Sequence, residues 1–511
     1  MKNNKKNKIV LIYPAFYYHM FDSSPAIAYL RGFLEKKKIK SESINFNKLL
    51  HHIENDSSKS LNRFKEYLLI NIKKRGKILS KKNSLLEILN NFISFCPDKI
   101  WDAVDKFDFC DDVILDSLLK NKKRYNYIGI SLLMRSQLIF SLRLSKITKN
   151  FSKRKIRIVW GGPFVTTQYK DLIELLSQNP IVDYLIIGQG ETSLYKLLTL
   201  KNKNAVPNLI YYKKKSYNFS KTIDYEENIN LLPSPLFEEE DLLTIQASRK
   251  CYWGNCAFCS HDYANLCKKV VIRPAKDVIK DVKVINNSIL NARKFYFFSD
   301  SAIPISFLKE FTKGILKENI EISFSGYFRL DSKLNYSILK KAKQAKLKTL
   351  IFGLETLNFR LLKLINKNYN TKDALKIIKI CSDLKFNRIF LTFMLGMPTQ
   401  TKKELENDLN KLFKIVYNFN NITVYAHLFT LMENTMIYNK PEDFDIKLFI
   451  KKRKFLSPSV PFKQLRKNSI SSDMAINIVK ECYNKHRLKS HINMHFDSSG
   501  DISHYMITKK S

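Results

Sequence analysis

Cys251, Cys256 and Cys259 fall within nine residues, in the stretch Ser248-Arg249-Lys250-Cys251-Tyr252-Trp253-Gly254-Asn255-Cys256-Ala257-Phe258-Cys259. Three thiolates at this spacing suit three irons of a [4Fe–4S] cluster, whose fourth iron is then open to a substrate or cofactor. Structural zinc is the competing chemistry. It closes its tetrahedron with a fourth Cys or His, and His261 and Cys267 both follow closely. A disulfide framework fits poorly, because the eight cysteines are scattered through 511 residues without an even pairing pattern.

The elements that must position this loop can be read from apolar periodicity. In the first 200 residues, Ile9 to Tyr13, Ser41 to Phe46, Tyr127 to Ser131, Arg157 to Trp160 and Tyr184 to Ile187 read as strands alternating with amphipathic helices. Such alternation predicts a doubly wound parallel sheet with its ligand site at the carboxyl ends of the strands. Ser131-Leu132-Leu133, Gly161-Gly162-Pro163 and Gly188-Gln189-Gly190-Glu191 stand at those ends. Glycine there lets backbone approach a ligand, although tight turns use it equally. Residues from about 48 to 124 interrupt the alternation with helical periodicity, so a helical insertion is expected, with Cys96 and Cys110 as small buried hydrophobes.

From Leu243 a second series begins. Strands are expected at Leu243 to Ala247, Lys294 to Ser299, Glu321 to Tyr327, Thr349 to Gly353, Arg388 to Leu395 and Ile422 to His427, separated by helices. Polar residues again close them, in Phe298-Ser299-Asp300, Phe328-Arg329-Leu330-Asp331, Gly353-Leu354-Glu355-Thr356 and Gly396-Met397-Pro398-Thr399. Asp300, Thr356 and Thr399 would serve equally as helix N-caps. Beyond about Glu442 the chain is basic and carries Pro458 and Pro461, which suggests a small helical cap with a frayed tail. His486, His491, His495 and His504 lie there at spacings that match no metal motif.

Composition sets bounds. With 45% hydrophobic and 26% charged residues the chain is an ordinary globular protein, long enough for two or three domains. No run approaches the roughly 18 apolar residues that span a bilayer. The apolar run Ile9 to Tyr18 follows a basic start, but no small-residue cleavage site comes promptly after it, so a strand in a cytoplasmic protein is the expectation. The net charge of +41 leaves a nucleic-acid partner open, yet lysine is spread over nearly every segment and offers no concentrated face.

Taken with Phe258 before the last cysteine, the loop resembles the cluster loop of the radical S-adenosylmethionine (SAM) superfamily. Its CxxxxCxxC spacing, one residue longer than the commonest form, resembles a variant in the cobalamin-binding branch. The resemblance implies a [4Fe–4S] cluster on Cys251, Cys256 and Cys259, with SAM chelating the open iron and cleaved by one electron to a 5′-deoxyadenosyl radical. It implies SAM contacts from Phe258, Asp300, Arg329 and Glu355, and a partial (β/α)6 barrel at 241–441. The three glycine- and serine-bearing strand ends, in order, resemble the cobalamin-binding domain attached to many such enzymes. Ser131 and Leu133 would then line the pocket of the cobalamin tail, Gly161 and Gly162 would let it pass, and Gly188, Gly190 and Glu191 would close the loop. The DxHxxG histidine that ligates cobalt in many cobalamin proteins is absent. His19 is nearby without the framing residues, and relatives often lack this histidine.

The architecture expected from this resemblance is α/β, with a cobalamin-binding-like domain at 1–205, a linker at 206–240, the barrel, and an α-rich extension at 442–511. The implied activity is cobalamin-dependent methyl transfer to a peptide or other secondary metabolite, supplied with electrons by a reductase of the flavodoxin or ferredoxin type. Radical SAM chemistry without methyl transfer (cyclisation, rearrangement or tRNA modification) and a non-catalytic cluster or cobalamin sensor are the alternatives. Substrate identity is not legible.

Overall fold

A computed structural model of the chain describes residues 8–15, 25–46, 59–77, 79, 83–119, 125–153, 155–221, 229–238, 243–260, 269–289, 294–299, 301–490, 492–497 and 504–509. The described residues divide into two compact units. One comprises residues up to 238 together with Lys454–Pro458, and the other runs from Leu243 onward apart from that segment.

The first unit is built on β1 (Ile9–Tyr13), β2 (Ser41–Asn45), β3 (Tyr127–Ser131), β4 (Arg157–Gly161), β5 (Tyr184–Ile186), β6 (Leu209–Lys213) and β7 (Ser216–Phe219), in the sheet order β2-β1-β3-β4-β5-β6-β7. The strands β1 to β5 pair in parallel. Every side chain of β1 is buried: Val10 and Ile12 enter one apolar cluster, while Ile9, Leu11 and Tyr13 enter another. Alternate residues therefore face two covered sides, as a doubly wound sheet requires. Helices Lys59–Lys74, Leu85–Phe95, Ile100–Lys106 and Asp111–Leu119 fill the insertion and bury Phe64, Leu68, Phe92 and Val104 in the cluster that holds Val10.

Within the stretch 206–240, expected as a linker, Leu209–Lys213 and Ser216–Phe219 instead continue the sheet. The strands β6 and β7 are antiparallel, with Leu185 opposite Ile210 and Lys213 opposite Ser216. Their two-residue turn is Lys214-Lys215, with φ of +52° and +63°. Such hairpin turns are ordinarily announced by Asn-Gly or Asp-Gly, so two lysines concealed this one.

The second unit begins with β8 (Leu243–Ile245) and the short antiparallel pair β9 (Ser248–Arg249) and β10 (Val271–Ile272). Its main sheet continues with β11 (Phe295–Phe298), β12 (Ser323–Phe328), β13 (Leu347–Glu355), β14 (Arg388–Leu395) and β15 (Ile422–Leu428). These five and β8 form six parallel strands in the order β15-β14-β13-β12-β11-β8. Tyr296, Phe298, Phe324, Phe352, Leu391 and Val424 point to the helix-covered face and are fully buried. The alternate residues Tyr327, Phe390, Thr392 and Tyr425 remain part-exposed on the other face. This matches the expected partial barrel.

The C-terminal stretch departs from an α-rich extension. After the antiparallel pair β16 (Ile446–Leu448) and β17 (Phe462–Gln464), and the helix Ser472–Ser490, a hairpin of β18 (Ile492–Asp497) and β19 (His504–Lys509) extends the main sheet, with β19 antiparallel to β15. An exposed β15 edge offers unpaired backbone groups, and the hairpin satisfies them. Among the described residues no helix is long and apolar enough to cross a membrane.

Candidate active site

The cysteine loop leaves β9 through Lys250 (φ +65°) and turns again at Gly254 (φ +61°). It is pinned to the turn that follows the helix Phe359–Leu364. The Ala257 N–H donates to the Ile365 carbonyl (2.9 Å), Trp253 Nε1 donates to the Asn366 carbonyl (2.8 Å), and Asn366 Nδ2 donates to the Asn255 carbonyl (2.9 Å). On its other side the Ala257 carbonyl accepts from the Ile437 N–H (3.1 Å). Cys251 and Cys256 are half-buried and Cys259 is exposed. Among the described residues no three His, Cys, Asp or Glu side chains converge closely enough to chelate one ion. His261 and Cys267, which would complete a zinc site, lie outside the described residues, as does His19.

Arg329 follows β12, and its Nη1 lies 3.9 Å from Cys256 Sγ. Its guanidinium stands 5.0 Å over the Trp253 ring and 5.8 Å over Tyr252, and Nη2 donates to the Lys367 carbonyl (2.7 Å). The Arg329 Nε is buried without a hydrogen-bond partner among the described residues. Burial pushes the Cys256 thiol above its ordinary value, and the cations Lys367 and Arg329 pull against that shift. A thiolate, the form that ligates iron, is favoured by such neighbours.

Glu355 ends β13 with φ +61°, beyond a register shift between Gly353 and Glu355. Only 5% exposed, it accepts from Lys367 Nζ (2.9 Å) and lies 3.3 Å from Thr392 Oγ1 through both carboxylate oxygens. Lys367 Nζ also stands 5.5 Å over the Phe258 ring. Burial alone would lower the Lys367 pKa, but Glu355 and Cys256 outweigh it and keep the ammonium charged. The structure thus gathers Cys256, Phe258, Arg329 and Glu355 around Lys367. Asp300 lies outside the described residues; its neighbour Ser299 has a buried Oγ without a partner among the described residues. Thr356 and Thr399 are not helix caps. Those roles fall to Asn358 and Thr401, two residues further on, while Thr356 bonds the buried Asp408 and Thr399 accepts from Arg360 Nη1 (2.8 Å).

In the first unit, Ser131 ends β3 with its Oγ buried and unpartnered among the described residues. The Leu133 N–H donates to Gln137 Oε1 (2.7 Å), and Gln137 Nε2 donates to the Pro14 carbonyl (3.0 Å), tying the loops after β3 and β1 together. Gly162 has φ +103°, and a Cβ there would lie 2.4 Å from the Leu132 carbonyl oxygen. Gly161 differs: its Cβ would meet nothing nearer than the Ile186 carbonyl oxygen at 3.7 Å. Gly188 has φ +74° and donates its N–H to Thr166 Oγ1 (2.9 Å), while Gly190 caps the helix Glu191–Thr199, whose first residue Glu191 is 5% exposed.

Sequence reasoning missed Lys367, Thr392, Gln137 and Thr166. Lys367 is one of 88 basic residues and carried no signal. Gln137 reaches the Pro14 carbonyl and Thr166 the Gly188 N–H, partners distant in sequence that no local pattern marks.

Residues 245–412 match the Radical SAM superfamily. Over 345 residues, 61% of this chain, the sequence is 21% identical to an uncharacterized methyltransferase of Pyrococcus horikoshii, covering 70% of that protein. It is 28% identical over 218 residues to the heme chaperone HemW of Buchnera aphidicola, covering 40% of this chain and 56% of HemW, so it spans little more than half of that relative. The fold is similar to the cobalamin-dependent SAM radical enzyme OxsB with aqua-cobalamin bound, with a TM-score of 0.61, 14% identity, and coverage of 92% of this chain and 66% of OxsB. It is also similar to the methyltransferase TsrM of Kitasatospora setae with cobalamin and a [4Fe-4S] cluster bound, with a TM-score of 0.58, 12% identity, and coverage of 99% and 88%.

Proposed function

We propose that this chain, a radical SAM enzyme, holds a [4Fe–4S] cluster on Cys251, Cys256 and Cys259, cleaves SAM reductively there, and uses cobalamin held by its first unit to methylate a peptide or other secondary metabolite. When bound, cluster and SAM supply a carbon-centred radical and the corrinoid supplies a methyl group. The observation that carries the reading is the convergence of Cys256, Phe258, Arg329 and Glu355 beside strand ends of a half-open parallel barrel.

The residues fit this assignment chemically. Three thiolates concentrate negative charge, and Arg329 and Lys367 offset it from a buried position where screening by water is weak. Tyr252 and Trp253 lay aromatic surface against the guanidinium and keep water from it. The unpartnered Arg329 Nε and Ser299 Oγ are donors that the polar groups of SAM can satisfy. In the first unit the orphaned Ser131 Oγ and the unobstructed Gly161 suit the nucleotide tail of a corrinoid. Methyl transfer draws support from the methyltransferase relative and from the TsrM-like fold. A one-electron reductase of the flavodoxin or ferredoxin type would supply the electron.

The test is anaerobic reconstitution with iron and sulfide, then SAM and a strong reductant, with 5′-deoxyadenosine measured against a variant in which Cys251, Cys256 and Cys259 are all alanine. Cysteine-dependent product supports the reading. A four-iron protein that makes no more product than the variant overturns it. Methyl transfer falls separately if deoxyadenosine forms while the purified protein takes up no corrinoid.

A further inference from the structure

The turn Ile365-Asn366-Lys367 does more than end a helix. Its three residues accept from the Ala257 N–H, the Trp253 indole and the Arg329 guanidinium through three successive carbonyls. Its side chains reach Asn255 through Asn366 and Glu355 through Lys367. Asn366 and Asn368 hold φ of +51° and +50°, a region that asparagine tolerates better than most residues. The turn is folded back by its own bonds, Asn366 N–H to the Lys363 carbonyl (3.1 Å) and Lys367 N–H to the Leu362 carbonyl (3.0 Å), so its shape does not depend on the cysteine loop.

Lys367 is the member whose side chain joins the parts. Its Nζ lies between the Glu355 carboxylate and the Phe258 ring, and its carbonyl fixes one arm of Arg329. Gly353 leaves the space: a Cβ there would lie 2.5 Å from Glu355 Oε1 and 2.7 Å from Lys367 Nζ. Glu355 enters this contact from a left-handed backbone conformation that a non-glycine residue rarely adopts.

We infer that Lys367 is a positioning residue: its ammonium orients the Glu355 carboxylate toward SAM and places a fixed positive charge beside the cluster, while its carbonyl aims Arg329 at Cys256. The inference rests on the cluster-and-SAM reading above. It commits this chain to a buried cation outside the cysteine motif that tunes both SAM binding and the ease of reducing the cluster. A positive charge in a low-dielectric site stabilises an added electron, so removing it makes reduction harder.

The test uses the full chain carrying its reconstituted cluster, with Lys367→Met, Lys367→Arg, Gly353→Ala and Glu355→Gln. Iron content should stay at the wild-type value in all four, because the three thiols are untouched. The midpoint potential of the cluster should move to more negative values in Lys367→Met and return toward wild type in Lys367→Arg, which restores charge but not the point-donor geometry. SAM binding, read from the change it causes in the electron paramagnetic resonance spectrum of the reduced cluster, should weaken about tenfold or more in Lys367→Met and Gly353→Ala, and the Lys367→Met/Glu355→Gln double variant should lose no more than either single one. Gly353→Ala keeps every charge and only wedges the pair apart, so it should leave the potential near wild type. If Lys367→Met is poorly folded from its uncompensated Glu355, the double variant removes that buried charge and still reports SAM affinity. A wild-type potential and wild-type SAM affinity in Lys367→Met, or additive losses in the double variant, would overturn the inference. A wild-type protein that assembles no cysteine-dependent cluster instead fails the underlying reading.

Discussion

Two adjacent glycines in the first unit should respond to alanine in opposite ways. Gly162 has φ +103° and ψ 174°, a region essentially reserved for glycine, and its added methyl would lie 2.4 Å from a Leu132 carbonyl oxygen that already accepts from the Phe164 N–H. The backbone strain is about 1–3 kcal/mol. The overpacking adds about 1–3 kcal/mol more, because the Leu132 atoms in the way are main chain and cannot swing away. Gly162→Ala should therefore lose about 4 kcal/mol of stability in the first unit without any ligand present. Gly161→Ala places its methyl 3.7 Å from the nearest oxygen, an ordinary contact, and should stay within about 0.5–1 kcal/mol of wild type. On the proposed function it should instead weaken corrinoid uptake about tenfold or more, since the methyl would occupy the space proposed for the nucleotide tail. Urea-dependent hydrogen exchange of the Tyr127–Ser131 amides measures the stability of this unit alone, and absorbance after anaerobic incubation with hydroxocobalamin measures uptake. The reasoning fails if Gly162→Ala is as stable as wild type, or if Gly161→Ala is equally stable and takes up the corrinoid undiminished.

Further outcomes follow from buried charges in the second unit. Arg273 and Asp281 pair at 2.6 Å with side chains 2% and 6% exposed, so Asp281→Ala should strand a buried guanidinium, cost about 3–5 kcal/mol and lower the melting temperature by about 10 °C; an unchanged melt would show that the pair is dispensable. Burial holds the Asp408 carboxyl above its ordinary value despite hydrogen bonds from Thr356 and Leu357. Its protonated form is therefore bound more tightly in the folded state, and its contribution to stability is present at acid pH and lost as the pH rises from the ordinary carboxylate range through the folded value. Asp408→Asn, which keeps an acceptor oxygen, should gain stability relative to wild type across that window; a pH-independent difference in urea midpoint would refute this. Thr401→Ala removes the hydroxyl of a capping box with Glu404 and should cost about 1 kcal/mol in the same measurement, and no change would mean that the helix Lys402–Asn418 is capped by other means.

The parallel strands of both sheets and the place of the cysteine loop are legible in apolar patterning and thiol spacing. The continuous apolar run Ile9 to Tyr13 is satisfied by burial on both faces, and the apolar-rich run Arg388 to Leu395 buries Ile389, Leu391 and Phe393 on one face, so both appear at those residues as strands. The thiols, Phe258, Arg329 and Glu355 likewise stand in local patterns after strands, and the structure brings Cys256, Phe258, Arg329 and Glu355 near one another. Features that depend on partners far along the chain leave no such local mark. Lys367 acquires its role from Glu355, Phe258 and the Arg329 guanidinium, none of which marks it in a chain where lysine is everywhere. The hairpin β6-β7 turns through two lysines that carry no turn signature, and the place of β18-β19 in the sheet is fixed by the β15 edge it covers. The segment Lys454–Pro458 falls in sequence within the expected C-terminal cap. It folds into the first unit because Leu456, at φ +53°, is fully buried in that core and donates its N–H to Asp171 (2.7 Å). Local patterning fixes which residues must be buried, but the identity of the core that buries them is settled only when distant segments compete for the same surface.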